Sequence, residues 1–117
     1  MTTAQTPLTP STFHILLALS LKERHGYEIM KQVEEDSSGT IAMGPGTLYG
    51  AIKRLLHDDF IEETGERPDP AVDDERRKYY RLTAKGKTSL SAELRRLEDL
   101  VEVGKERKLI HALTFAI

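Results

Sequence analysis

With 117 residues, 38% apolar and 31% charged, the chain has material for one compact domain and one appended element. It contains no cysteine, which excludes a disulfide framework, a thiolate metal site and a cysteine nucleophile. No apolar run approaches the roughly 18 residues of a membrane span and no signal peptide is apparent, so the cytoplasm is the expected compartment; a net charge of −2 announces no polyanionic partner.

Met1 to Leu8 is polar and Thr-rich, a frayed lead-in. Thr9-Pro10-Ser11 predicts a helix start, with Thr9 as N-cap and Pro10 at the first helical position. From Thr12 to Leu21 this helix is apolar almost all round, which predicts burial on most sides and contact with a second subunit. Lys22-Glu23-Arg24-His25-Gly26 ends it. A second helix is expected from about Tyr27 to Glu35, with Ile29, Met30 and Val33 inward, and Asp36-Ser37-Ser38-Gly39 stops it. Thr40-Ile41-Ala42-Met43 reads as a short apolar link able to form a single β-bridge.

Gly44 and Pro45 open the third helix as N-cap and first residue. Leu48, Ile52, Leu55 and Leu56 recur on one face, and the opposite face carries Gly46, Thr47, Gly50, Lys53, Arg54 and His57. Tyr49 falls on the flank, where contact and packing are both open. Small residues near the N-terminus and cations beyond them suit close approach to a polyanion, with the first-turn N–H groups attracting phosphate. An ordinary amphipathic helix with a solvated face has the same pattern. Third in a tri-helical unit, this helix holds the recognition position of a helix-turn-helix.

Phe60 to Thr64 and Lys78 to Thr83 predict two short strands around a mobile charged segment, Gly65 to Arg77. One of Tyr79 and Tyr80 points inward, and alternation alone does not say which. A hairpin after a recognition helix is a wing, whose Arg76, Arg77, Lys78 and Arg81 are placed to reach phosphates. Between Gly44 and Lys87 nine Lys/Arg face nine Asp/Glu, so nucleic-acid contact requires the signs to be segregated in space. Thr83 then caps a last helix from Ala84 to about Leu113, some 45 Å long. Leu90, Leu94, Leu97 and Val101 are spaced as a coiled-coil seam, widened by Leu100 and Val103, with Gly104 as a point for bending or close crossing.

The expected fold is mainly α with a small β-hairpin wing: a winged helix-turn-helix domain over 1–83 and a dimerisation helix over 84–117. DNA contact is expected from Gly46, Thr47, Tyr49, Lys53, Arg54, Arg76, Arg77 and Lys78, and dimerisation from Leu90, Leu94, Leu97 and Val101. Tyr27 reads as a packing residue in preference to a DNA contact, His14 as a core histidine, and His57 as either solvated or touching phosphate. His14, His25, His57 and His111 lack metal-ligand spacing. No catalytic constellation and no nucleotide fingerprint is recognisable, so no enzyme activity, metal or cofactor is expected.

Four co-linear blocks carry a family resemblance: His25-Gly26-Tyr27-Glu28-Ile29, Gly44-Pro45-Gly46-Thr47-Leu48-Tyr49, Lys53-Arg54-Leu55, and Arg77 to Gly86. From Leu8 to about Leu97 the sequence resembles PadR-like transcriptional regulators of the smaller kind, with a single C-terminal helix. The resemblance implies a winged-helix homodimer whose last helix packs on the partner's N-terminal region. It also implies repression of a nearby promoter through a palindromic operator in double-stranded DNA, relieved by a small molecule. Two features depart from the family pattern: Gly44 stands where Ser is common, and Asp73-Asp74-Glu75 puts carboxylates at the wing tip. An aromatic or phenolic effector is expected between the last helix and the first, with Phe13 or a Tyr as platform because the chain has no Trp. The acidic balance suits a second class, a winged-helix protein-interaction module without sequence-specific DNA binding.

Overall fold

The computed structural model describes residues 8–69 and 72–111, and for 69 and 72–76 the backbone alone. Its order is α1 (Pro10–Leu19), β1 (Arg24–His25), α2 (Gly26–Asp36), α3 (Pro45–His57), β2 (Ile61–Asp69), β3 (Val72–Leu82) and α4 (Ala84–Glu106). It is mainly helical with a three-stranded antiparallel sheet, ordered β1-β3-β2.

The helix starts follow local chemistry. Thr9 caps α1 by accepting from the Thr12 N–H, and Thr83 caps α4 by accepting from the Gly86 N–H at 3.0 Å. The helix ends follow a different rule. Ser38, Asp59 and Lys108 lie in the left-handed region (φ 53°, 62° and 60°) just past α2, α3 and α4. The next amide then reaches back: Gly39 N–H to the Glu34 carbonyl, Phe60 to Leu55, and Leu109 to Gly104. These are three Schellman closures without glycine at the left-handed position. The last of them stops α4 at Glu106, short of the expected Leu113, and Ile110 folds back against Gly104. That Gly104 marks a terminus, not a bend. Residues 112–113 of the expected helix lie outside the described residues.

Four further expectations are corrected. The helix α1 ends at Leu19, where Ser20 Oγ donates to the Leu17 carbonyl and Arg24 Nε to the Ala18 carbonyl. Leu21 is thereby left outside the helix and exposed. Gly26 does not terminate α1 but begins α2. The extra strand is Arg24–His25, paired with Tyr80 and Tyr79, and not Thr40–Met43. There Ser37 Oγ bonds both the N–H and the carbonyl of Ile41, satisfying groups that a β-bridge would need. Among the described residues the wing is two long paired strands, Ile61–Asp69 and Val72–Leu82, not two short strands around a segment from Gly65 to Arg77. An extra residue at Thr64, beside Gly65 at φ 129°, lets the ladder continue past the break in alternation. Pro68 is tolerated because β2 is an outer strand.

The core is Ile15, Leu16, Ala18 and Leu19 of α1, Ile29 and Val33 of α2, and Leu48, Ala51, Ile52 and Leu55 of α3, with Ile61, Tyr80 and Leu90. Tyr80 is thus the inward tyrosine of the pair, and burial raises its phenol pKa. Each such large side chain contributes about 1.5–3 kcal/mol by leaving water. Gly86 fits beneath the Phe60 carbonyl, which also accepts from the Thr83 N–H, so the wing and α4 meet where a Cβ would strike backbone. Among the described residues, no helix is long and apolar enough to cross a membrane.

Candidate nucleic-acid interface

The buried side of α3 (Leu48, Ala51, Ile52, Leu55) fixes what its other side presents. Gly46, Thr47, Tyr49, Lys53, Arg54 and His57 are all exposed, as helical periodicity requires. Gly44 caps the helix without a side-chain hydrogen bond, and Pro45 has no N–H, so the first-turn amides of Gly46 and Thr47 carry the helix's positive end. A Cβ at Gly46 would meet nothing within 4 Å. Arg54 turns back along the helix toward Gly50, with Nη1 3.8 Å from where a Cβ at 50 would stand. From Gly39 to His57 the sequence holds no carboxylate, whereas Asp58, Asp59, Glu62 and Glu63 follow the helix C-terminus. The signs are segregated along α3.

Tyr49 is half-exposed. Its ring lies against Gly26 at the start of α2, with Cζ 2.8 Å from the place a Cβ there would occupy. Gly26 is preceded by His25, a buried N-cap whose Nδ1 accepts from the Glu28 N–H while Glu28 Oε1 accepts from the His25 N–H. This capping box had no counterpart in the sequence expectations, which look for Ser, Thr, Asp or Asn at that position. Tyr27, expected to pack, is instead 50% exposed with Lys31 Nζ 5.5 Å from its ring centroid. Its position two residues before buried Ile29 carried the signal, because two helical steps turn a side chain most of the way to the opposite face. His14 is half-buried, not a core residue, with Phe13 edge-on beside it.

The wing cations divide into two sets. Arg67 pairs with Glu23 at 2.8 Å and stacks 3.9 Å over Tyr79; Arg81 pairs with Glu62 at 2.6 Å across the strands. Lys78 is exposed, and Arg77 is half-buried on the face of β3 opposite Tyr80. The side chains of Arg76 and of Asp73, Asp74 and Glu75 are not described. Among the described residues, Lys53, Arg54 and Lys78 take part in no ion pair.

On α4, Leu94 and Val101 are 44% exposed and Leu97 is half-buried, whereas Leu90 is 4% exposed and belongs to its own chain's core. Leu90 therefore roots the stripe, and the exposed part starts at Leu94 and includes Leu100. Between α1, the end of β3 and α4 lies a cavity of about 500 Å³ lined by Leu17, Leu82, Leu90 and Leu94, with Lys22 and Lys87 among its polar groups. No group of three or more metal-ligating side chains occurs among the described residues.

Three packed helices with α3 in third place, followed by a hairpin, define a winged helix-turn-helix protein. Over residues 15–92 the sequence matches the Transcriptional regulator PadR-like family, and the chain belongs to that family. It is 35% identical over 100 residues to Uncharacterized protein X of Lysinibacillus sphaericus, covering 79% of this chain and 88% of that one. Its fold is similar to that of a PadR family transcription regulator from Clostridium difficile R20291, with 30% identity, a TM-score of 0.70, and coverage of 84% of this chain and 97% of that one. It is also similar to Bacillus subtilis PadR in complex with operator DNA, with 25% identity and a TM-score of 0.61, covering 71% of this chain and 45% of the longer protein.

Proposed function

We propose that this PadR-like regulator acts as a homodimer that binds a palindromic operator in double-stranded DNA and represses a nearby promoter from the cytoplasm. The observation that carries this reading is the exposed face of α3, which is small at its N-terminal end, cationic further along and without a carboxylate. That face suits a major groove, with Gly46 and Thr47 close to phosphate and Tyr49, Lys53 and Arg54 reaching phosphates or base edges. Arg76, Arg77 and Lys78 add backbone contacts from the wing. The Bacillus subtilis PadR, similar in fold, is in complex with operator DNA, which supports DNA binding by this chain.

Dimerisation runs through α4, whose exposed Leu94, Leu97, Leu100 and Val101 need a partner, with Leu90 supporting the stripe from below. The partner's α1, with half-buried Phe13 and Leu17, offers a matching apolar face. A small aromatic or phenolic effector relieves repression from the cavity between α1 and α4, where Leu17, Leu90 and Leu94 give an apolar floor.

The test is enrichment of a random duplex pool on the wild-type protein, followed by titration of the enriched duplex at several salt concentrations. A two-fold symmetric sequence bound with a steep salt slope supports the reading. No enrichment, with binding insensitive to salt, favours the protein-interaction module instead.

A further inference from the structure

We infer that Glu23, Thr64 and Arg67 form a tie that positions the wing for DNA binding without touching the nucleic acid; the inference rests on the DNA-binding reading above. Glu23 stands in the turn between α1 and β1, outside the wing. Its Oε1 accepts from Thr64 Oγ1 at 2.7 Å and its Oε2 from Arg67 Nη1 at 2.8 Å, while Arg67 Nη2 donates to Thr64 Oγ1 at 2.9 Å. The triangle is closed: each of the three side chains bonds the other two. Arg67 is further fixed by stacking over Tyr79, the residue opposite Gly65 in the ladder.

The location gives the tie its purpose. Thr64 is the extra residue of the register shift between Glu63 and Gly65, one of two irregularities in the ladder and a place where a hairpin bends. Arg67 lies beyond that bulge, toward the tip. Glu23 therefore grips the hairpin at its bend and on the far side of it, from a point fixed by the C-terminus of α1. A wing free to swing at the bulge presents Lys78 and its neighbours in many orientations, and ordering them on DNA then costs affinity. Arg67 acts as a positioning residue: one N–H of each terminal nitrogen is bonded inward and the guanidinium is stacked on Tyr79.

Charge makes the tie testable by sign. Removing a carboxylate beside a DNA-binding wing strengthens binding on Coulombic grounds alone. Removing the tie weakens it. The experiment compares wild type, Glu23→Ala, Arg67→Ala and the double variant on the duplex enriched by the wild-type protein, and follows hydrogen exchange of the β2–β3 amides without DNA. The expected result is affinity about five- to tenfold weaker in both single variants, no further loss in the double, an unchanged salt slope and faster exchange around Thr64. Three results overturn the inference: Glu23→Ala binding as tightly as wild type or tighter, a salt slope reduced by about one in Arg67→Ala, or unchanged exchange in both. If the wild-type protein enriches no duplex, the DNA-binding reading itself falls and takes this inference with it.

Discussion

The Tyr49 ring of α3 rests on the backbone of Gly26 at the first turn of α2, so close that a methyl group at 26 would overlap it. One glycine thus sets how the N-terminal half of α3 lies on α2, and it holds half-exposed Tyr49 on the flank of the candidate contact face. Alanine at 26 forces the ring aside, because the backbone beneath is fixed by the His25 capping box. The ring end is free to swing toward solvent, so the expected stability loss is modest, about 1 kcal/mol. Truncating Tyr49 to Ala removes the overlap. Denaturant unfolding of the four members of a Gly26→Ala and Tyr49→Ala cycle should show strong non-additivity, with Gly26→Ala harmless in the Tyr49→Ala background. Additive costs would mean that the two residues do not share this contact.

The proposed dimerisation through α4 gives a contrast between neighbours on one helix. Leu94→Asp with Leu97→Asp places charge in the proposed seam but leaves the chain's own core intact, since Leu94 is largely exposed and Leu97 half-buried. That variant should sediment as a folded monomer. Leu90→Ala acts on the core instead and should lower stability by about 2–5 kcal/mol. A Leu94, Leu97 double variant that remains dimeric places the interface elsewhere.

Acid should loosen the wing through Glu23. Hydrogen bonds from Arg67 and Thr64 hold this carboxyl at about 2, below its ordinary 4.5. Folding therefore depresses the pKa, and the stabilisation is present in full above pH 4.5 and is lost as pH falls toward 2. The stability difference between wild type and Glu23→Ala should be constant above that window and shrink within it. Because the pair is partly solvated, the effect is small and best seen at low salt. A difference independent of pH would show that Glu23 is not held by these partners.

Lys53 separates base reading from phosphate contact. If it reads a base, Lys53→Ala costs about 1–3 kcal/mol and relaxes preference at one operator position. If it meets phosphate, affinity falls for every duplex alike and the salt slope drops by about one. Competition binding across single-position variants of the enriched duplex distinguishes the two, and no effect in either assay would remove Lys53 from the interface.

Much of the architecture was legible because its signals are local. Thr9-Pro10, Gly44-Pro45 and Thr83 announce helix starts through side-chain oxygen and proline geometry alone. The face of α3 follows from periodicity, and with it the exposure of Lys53 and Arg54. The rest depended on partners distant in sequence. Arg24–His25 is a strand only because Tyr79 and Tyr80 lie beside it, and Ser38, Asp59 and Lys108 end helices without the glycine that marks such turns. Gly65 and Pro68 read as loop residues, yet a bulge and an outer edge absorb them into β2. Leu90 and Leu94 share one spacing pattern, so periodicity could not separate core from seam. In the site, Arg67 and Arg81 were indistinguishable from Lys78 until Glu23 and Glu62 were placed beside them.

Binding of the enriched duplex by Gly46→Glu tests the entry of α3 into the groove most directly. Gly46 is exposed, a side chain there meets open space, and an acidic residue in the first turn suits the helix dipole, so the variant should fold and dimerise as wild type. In the proposed complex the added carboxylate nonetheless stands where the helix backbone approaches phosphate. The expected result is loss of duplex binding with unchanged circular dichroism and sedimentation. A folded, dimeric Gly46→Glu protein that binds the duplex at wild-type strength would place α3 outside the groove.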